Sequence, residues 1–172
     1  MNITLRKFLP AILAVVCITG FAAQASAQGP AGRTLGFGAI LGDPSGGTVK
    51  VWLQREQALD FYIGGDYFGT PRIGGDYLWH FFPFNSDVAN MYAGVGGTIG
   101  LGIGGGYWYG DNHGWYYRAE GNSGIGLRAI IGIDVVPRRT PLELFCELGP
   151  LFGVTPETGF GMDFALGLRF YP

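Results

Sequence analysis

The chain has 172 residues and a formal net charge of −2, and only 14% of its residues are charged, against roughly 25% in typical globular proteins. With 48% hydrophobic residues and a positive mean hydropathy it is not a disordered chain, and it has no basic stretch of the kind that binds nucleic acid. Its 32 glycines follow no collagen period, so they need another explanation.

The N-terminal stretch, residues 1–27, reads as a secretory signal peptide. Arg6 and Lys7 form a basic start, and Phe8 to Phe21 is mostly apolar. That apolar run is too short for a membrane-spanning helix. Ala25-Ser26-Ala27 is an A-x-A cleavage site followed by Gln28, so cleavage is expected after Ala27. Val16 stands before Cys17 where a lipoprotein signal needs a small residue. Residues 28–34 are a short leader, and residues 35–172 form one domain. That domain keeps a single cysteine, Cys146, so no intramolecular disulfide is expected.

Eight strands are predicted from a period of two in the large apolar residues. The first, Leu35 to Gly42, sets Leu35, Phe37, Ala39 and Leu41 against three glycines and Ile40. After the turn sequence Asp43-Pro44-Ser45-Gly46, the second runs from Thr48 to Leu53, with Lys50 opposite Val49 and Val51. The third, Ala58 to Phe68, sets Asp60 and Asp66 opposite Leu59, Phe61, Ile63 and Tyr67. Gly69 to Arg72 is expected to turn, and the fourth strand, Ile73 to Phe82, places Asp76 and His80 opposite Ile73, Tyr77, Trp79 and Phe81. The fifth starts at Met91, with apolar residues alternating with glycine. A long aromatic loop, Gly104 to Gly124, leads to the sixth, where Arg128 and Asp134 lie opposite Ile125, Leu127, Ile131 and Ile133. The seventh sets Glu143 and Glu147 against Leu142, Leu144, Cys146 and Leu148. Leu151 to Gly159 is expected to be a loop. The last strand places Asp163 and Arg169 opposite Phe160, Met162, Phe164, Leu166, Leu168 and Phe170.

The charge-free run Val88 to Gly110 could span a bilayer as a helix by length, but its glycines disfavour helix and its large residues alternate. An even count of strands of ~9–11 residues, behind a signal peptide, is the signature of an outer-membrane barrel. The expected fold is therefore all-β, an eight-stranded antiparallel up-and-down transmembrane barrel. The face carrying Phe, Leu, Met, Tyr and Trp is too bulky for the interior of eight strands, and the opposite face is mostly glycine, a poor solvent surface. Lipid is expected on the apolar face, and closure of the barrel leaves no unpaired backbone in the bilayer. The lumen then holds Lys50, Arg128 and Arg169 among Asp60, Asp66, Asp76, Asp134, Glu143, Glu147 and Asp163. Buried charges must pair, so an internal salt-bridge network is expected, with Glu143, Glu147 and Asp163 flanking the two arginines. With both termini periplasmic, Trp79, Phe81, Phe170 and Tyr171 fall at the periplasmic rim and the long loop is extracellular.

The chain resembles the small eight-stranded outer-membrane barrels of the OmpA and OmpX type. The segments Leu142 to Pro150, Thr155 to Phe160 and Gly167 to Tyr171, with Gly42 to Gly46 and Asp76 to His80, are also similar to a family of small bacterial outer-membrane barrels of unassigned activity. The resemblance implies outer-membrane lipid and the barrel-assembly machinery as partners, in a Gram-negative bacterium. Gly167 and Phe170 fit the assembly signal of such proteins, whereas Pro172 stands where that signal ends on an aromatic residue.

Catalytic chemistry finds little support. Gly100, Gly102 and Gly105 match a dinucleotide fingerprint, but Tyr107-Trp108-Tyr109-Gly110 does not open the helix it needs. His80 and His113 fall at opposite ends of the barrel, so no metal site is expected, and no cofactor. Ser45, Ser123, Asp111 and His113 share the outer side without a spacing motif, so a lipid-modifying barrel enzyme is only an alternative; a soluble periplasmic ligand-binding barrel is another. The better functional candidate is the loop, where Tyr107, Trp108, Tyr109, Trp115, Tyr116 and Tyr117 flank a turn. Such aromatics either bind an extracellular ligand or host protein or form cross-strand pairs in a hairpin. The expected function is structural or adhesive, without an open pore and without catalysis.

Overall fold

The protein, seen in a computed structural model, is described over residues 29–84, 86, 88–101, 107–111, 114–118, 124–137, 140–155 and 158–172; at residue 31 and from 107 to 118 only the backbone is described. The predicted signal peptide lies outside the described residues. A short 3-10 turn, Pro30–Gly32, precedes ten strands: β1 Leu35–Gly42, β2 Ser45–Trp52, β3 Gln57–Asp66, β4 Gly69–Phe81, β5 Ala89–Gly100, β6 Tyr107–Asp111, β7 Gly114–Arg118, β8 Gly124–Val135, β9 Leu142–Thr155 and β10 Gly159–Phe170.

Eight of them close a barrel. Antiparallel neighbours run in the order β1, β2, β3, β4, β5, β8, β9, β10, and β10 returns to β1. The closing seam runs from Phe37 opposite Phe170 to Gly42 opposite Ala165. Every central strand has both edges paired, so the backbone donors and acceptors of the wall are satisfied within it. Strands β6 and β7 form a separate hairpin in the connection from β5 to β8, and β6 meets β10 where Phe160 lies opposite Trp108.

Three boundaries differ from expectation. The residues expected to turn, Gly69 to Arg72, belong to β4. The loop expected from Leu151 is strand as far as Thr155. The long loop contains the β6–β7 hairpin. In each case the turn residues are real turn formers, but an unpaired neighbouring edge recruits them into the ladder, because tertiary pairing outweighs local propensity. A register shift between Gly64 and Asp66 displaces the end of β3, so Tyr67 lies in the β3–β4 turn and reaches inward to Asp163 rather than joining the apolar face.

The side chains are sorted inside out relative to a water-soluble protein. Along β8, Ile125, Leu127, Ile131 and Ile133 are exposed, while Arg128 and Asp134 are buried. Leu41 is 70% exposed and Arg169 is fully buried. The glycines make this possible by lining the lumen. The Tyr171 ring lies over Gly36, where a Cβ would stand 2.5 Å from Cζ, and the Tyr67 hydroxyl would stand 2.5 Å from a Cβ on Gly161. Tyr62, Tyr92 and Phe145 cover Gly74, Gly132 and Gly167 in the same way. Bulk carried by one strand thus fills the space left by its neighbour.

The terminal end is closed by an apolar floor of Trp52, Ala58, Leu78, Tyr92, Ile130 and Tyr171. Gly29 and Pro30 are buried beneath it, and the Trp52 amide donates to the Thr34 carbonyl at 2.8 Å.

Candidate functional site

The polar interior above this floor is the densest chemistry in the described chain. Lys50, Asp60, Asp76, Arg128, Asp134, Glu143, Glu147, Asp163 and Arg169 are all buried, and the Asp66 side chain is also shielded completely. They come from six strands, β2, β3, β4, β8, β9 and β10, at inward positions an even number of residues apart.

The half nearer the floor is organised by Lys50 and Arg169. Lys50 Nζ lies 3.0 Å from Glu143 and 3.3 Å from Asp134, and 4.4 Å from the centre of the Trp52 ring. Asn90 donates to Asp134 Oδ1 at 2.9 Å. Arg169 Nη1 donates to Glu143 Oε1 at 2.6 Å and its Nη2 pairs with Asp60. Thr48 Oγ1 accepts from Arg169 and donates to Asp60 at 2.8 Å. The Tyr171 hydroxyl donates to Glu143 and accepts from Trp52 Nε1 at 3.1 Å, which ties the floor to the charges.

The half nearer the loops is organised by Arg72 and Arg128. Arg72 pairs with Asp66 and, at 2.6 Å, with Asp163, and its Nε donates to Thr98 Oγ1 at 3.0 Å. Arg128 Nη2 donates to Glu147 Oε1 at 2.8 Å, with Asp76 at 3.4 Å and Asp163 at 3.5 Å. The Tyr92 hydroxyl donates to the other Glu147 oxygen at 3.1 Å. The Tyr67 hydroxyl donates to Asp163 Oδ1 at 2.5 Å. Burial and then the Asp163 carboxylate push this hydroxyl above its ordinary range, which keeps it a donor.

Arg72 is a central partner absent from the expected lumen charges, and His80 is buried in the lumen as its place on the fourth strand predicts. Arg72 was assigned to a turn, and only its recruitment into β4 turns it inward. His80 Nε2 lies 3.0 Å from Lys50 Nζ. Asp134 Oδ2 lies 3.3 Å from the same nitrogen, and His80 Nδ1 is buried without a hydrogen-bond partner among the described residues. The pattern of β4 places His80 on the face of Asp76, and that signal was available from spacing alone.

Chemically, the arrangement is a filled, internally paired interior. Nearly every guanidinium and carboxylate has an opposite charge within 3.5 Å. Among the described residues no cluster of three His, Cys, Asp or Glu is arranged to hold a metal ion. Cys146 sits half-exposed on the outer face, away from these groups. The six aromatic residues from Tyr107 to Tyr117 lie on the two strands of one hairpin, where four of them oppose each other, Trp108 opposite Tyr117 and Tyr109 opposite Tyr116, while Tyr107 faces Arg118 and Trp115 faces Gly110; their side chains, together with His113 and Ser123, lie outside the described residues. Comparison of the chain with protein-family models, with curated proteins and with solved structures finds no match in any of the three.

Proposed function

We propose that the protein is an outer-membrane barrel of the small OmpA- and OmpX-like type, exported by a cleaved signal peptide, with a structural role, no open pore and no catalysis. The observation that carries this reading is the inverted sorting of side chains. A belt of Phe, Leu, Ile and Met faces outward on every barrel strand except the short β2, while four fully or nearly fully buried basic side chains face seven carboxylates inside. In water such a belt would drive aggregation, and in hydrocarbon it is the favoured surface. The partners are the lipid around the belt and the machinery that inserts such barrels. The paired interior supports a lumen without an open pore, in keeping with the narrow interior of eight strands.

Two measurements test the reading. The protein should fractionate with outer membranes and migrate faster on gels when unheated; recovery as a soluble periplasmic protein would overturn it. Planar bilayers containing it should show no discrete conductance steps, and steps of porin size would remove the sealed lumen.

A further inference from the structure

The apolar belt is not the same height all round. Outward apolar positions span Phe160 to Phe170 on β10, Ile125 to Val135 on β8 and Leu142 to Val154 on β9. At ~3.4 Å per residue and a tilt of ~40° these spans stand roughly 26–31 Å high, enough for the ~25 Å band of an outer-membrane barrel. On β1 the span is only Leu35 to Leu41, and on β3 only Leu59 to Ile63, so the same conversion leaves roughly 10–16 Å. The lower ends are level across the seam, because Phe37 pairs with Phe170. On β1 the deficit therefore lies at the loop end, above β1 and β2.

There the wall is cut short. β1 stops at Gly42, whose φ of 126° turns the chain away, and Ser45 Oγ closes the turn by hydrogen bonds to Gly42. The last bond across the seam is from the Asp43 amide to the Phe164 carbonyl at 2.9 Å. From Phe164 back to Gly159, β10 keeps β9 on one edge and has lost β1 on the other. Unpaired strand edge is not tolerated in hydrocarbon. Strand β6 comes to that vacated edge, with Trp108 opposite Phe160, and β7 follows beyond it. β6 runs antiparallel to β10, the direction of β1, so it continues β1 upward and β7 lies over β2.

We propose that the β6–β7 hairpin is not an extracellular binding loop but the missing upper section of the membrane-facing wall, in contact with the acyl chains of the outer leaflet above β1 and β2. The composition fits that environment: six of the ten hairpin-strand residues are Tyr or Trp, and only Asp111 and Arg118 carry charge. Tyr and Trp are the residues of membrane interfaces. This inference rests on the outer-membrane reading above, and the experiment separates the two.

Three variants of the full mature barrel are reconstituted in phosphatidylcholine vesicles with or without brominated acyl chains. All keep Trp52, which is buried in the floor and serves as constant background. W108F/W115F retains Trp79, which is exposed on the outer wall; W79F retains the hairpin tryptophans; W79F/W108F/W115F gives the baseline. Brominated lipid should quench the hairpin tryptophans several-fold more than aqueous iodide does, and should quench Trp79 as well. Quenching of Trp79 by lipid with quenching of the hairpin by iodide only would overturn the hairpin assignment and leave the membrane reading standing. If neither responds to lipid, the membrane reading itself fails. As a check independent of tryptophan fluorescence, F160C/W108C should form a disulfide in intact vesicles; a pair that stays reduced under oxidant counts against the docked hairpin.

Discussion

Replacing Arg169 by methionine asks whether the lumen is held by charge pairing. The guanidinium is fully buried, donates to Glu143 at 2.6 Å and to Thr48 at 3.1 and 3.2 Å, pairs with Asp60, and lies 3.7 Å from the centre of the Phe145 ring. Methionine retains much of the apolar stem over Phe145 but removes every donor. Glu143 would still have Lys50 at 3.0 Å and the Tyr171 hydroxyl. Asp60 would keep only the Thr48 hydroxyl at 2.8 Å. Stranding one member of a buried pair costs about 3–5 kcal/mol, so Arg169→Met should be destabilised by that amount, most of it at Asp60. Adding Asp60→Asn removes the stranded charge, and the double variant should regain roughly 2 kcal/mol relative to the single one. The assay is urea unfolding in phospholipid vesicles at neutral pH, followed by tryptophan emission and by the fast-migrating gel band. A single variant within about 1 kcal/mol of the parent, the size of an exposed pair, would refute the argument. So would a double variant no more stable than the single.

Three further outcomes follow from the same geometry. Leu166→Arg, at a half-exposed outward position of β10, should lose about 2–4 kcal/mol in vesicles; a loss under ~0.5 kcal/mol, as for ordinary surface substitutions, would mean that this face meets water. Gly36→Val would drive a side chain into the Tyr171 ring, and its overpacking should cost about 1–3 kcal/mol, visible as a lower refolded fraction in detergent; undiminished refolding would contradict the tight floor. Tyr67→Phe removes a charge-assisted bond to Asp163 and should lower stability by about 1.5 kcal/mol, the low end for such bonds, because Arg72 still holds that carboxylate. An unchanged urea midpoint would show that the bond contributes nothing.

The barrel was legible because its signal is local. A strand that meets lumen on one side and a uniform apolar surface on the other must alternate, and Phe160 to Tyr171 does so without a break, as does Ile125 to Asp134. Strand ends were less legible. Gly69-Thr70-Pro71-Arg72 and Leu151 to Thr155 carry turn-like residues, yet β5 and β10 offer edges that pair with them. The misplacement of Arg72 followed from that, since a residue at a strand end shows its face only once the strand is known to include it. The glycines were legible in number but not in role, because the ring that fills each gap comes from a neighbouring strand or a remote turn, as Tyr67 does for Gly161.

The amino-acid sequence by itself determined the fold class, the alternation that separates an apolar from a polar face, and which charges share the polar face, because period two is a property of a single strand. Only the tertiary structure decided which carboxylate each cation meets, that Arg72 joins them, and that β10 rises past the end of β1 to receive β6. Those outcomes depend on register and stagger between strands far apart in the chain. A shift of two residues would preserve every face and change every partner.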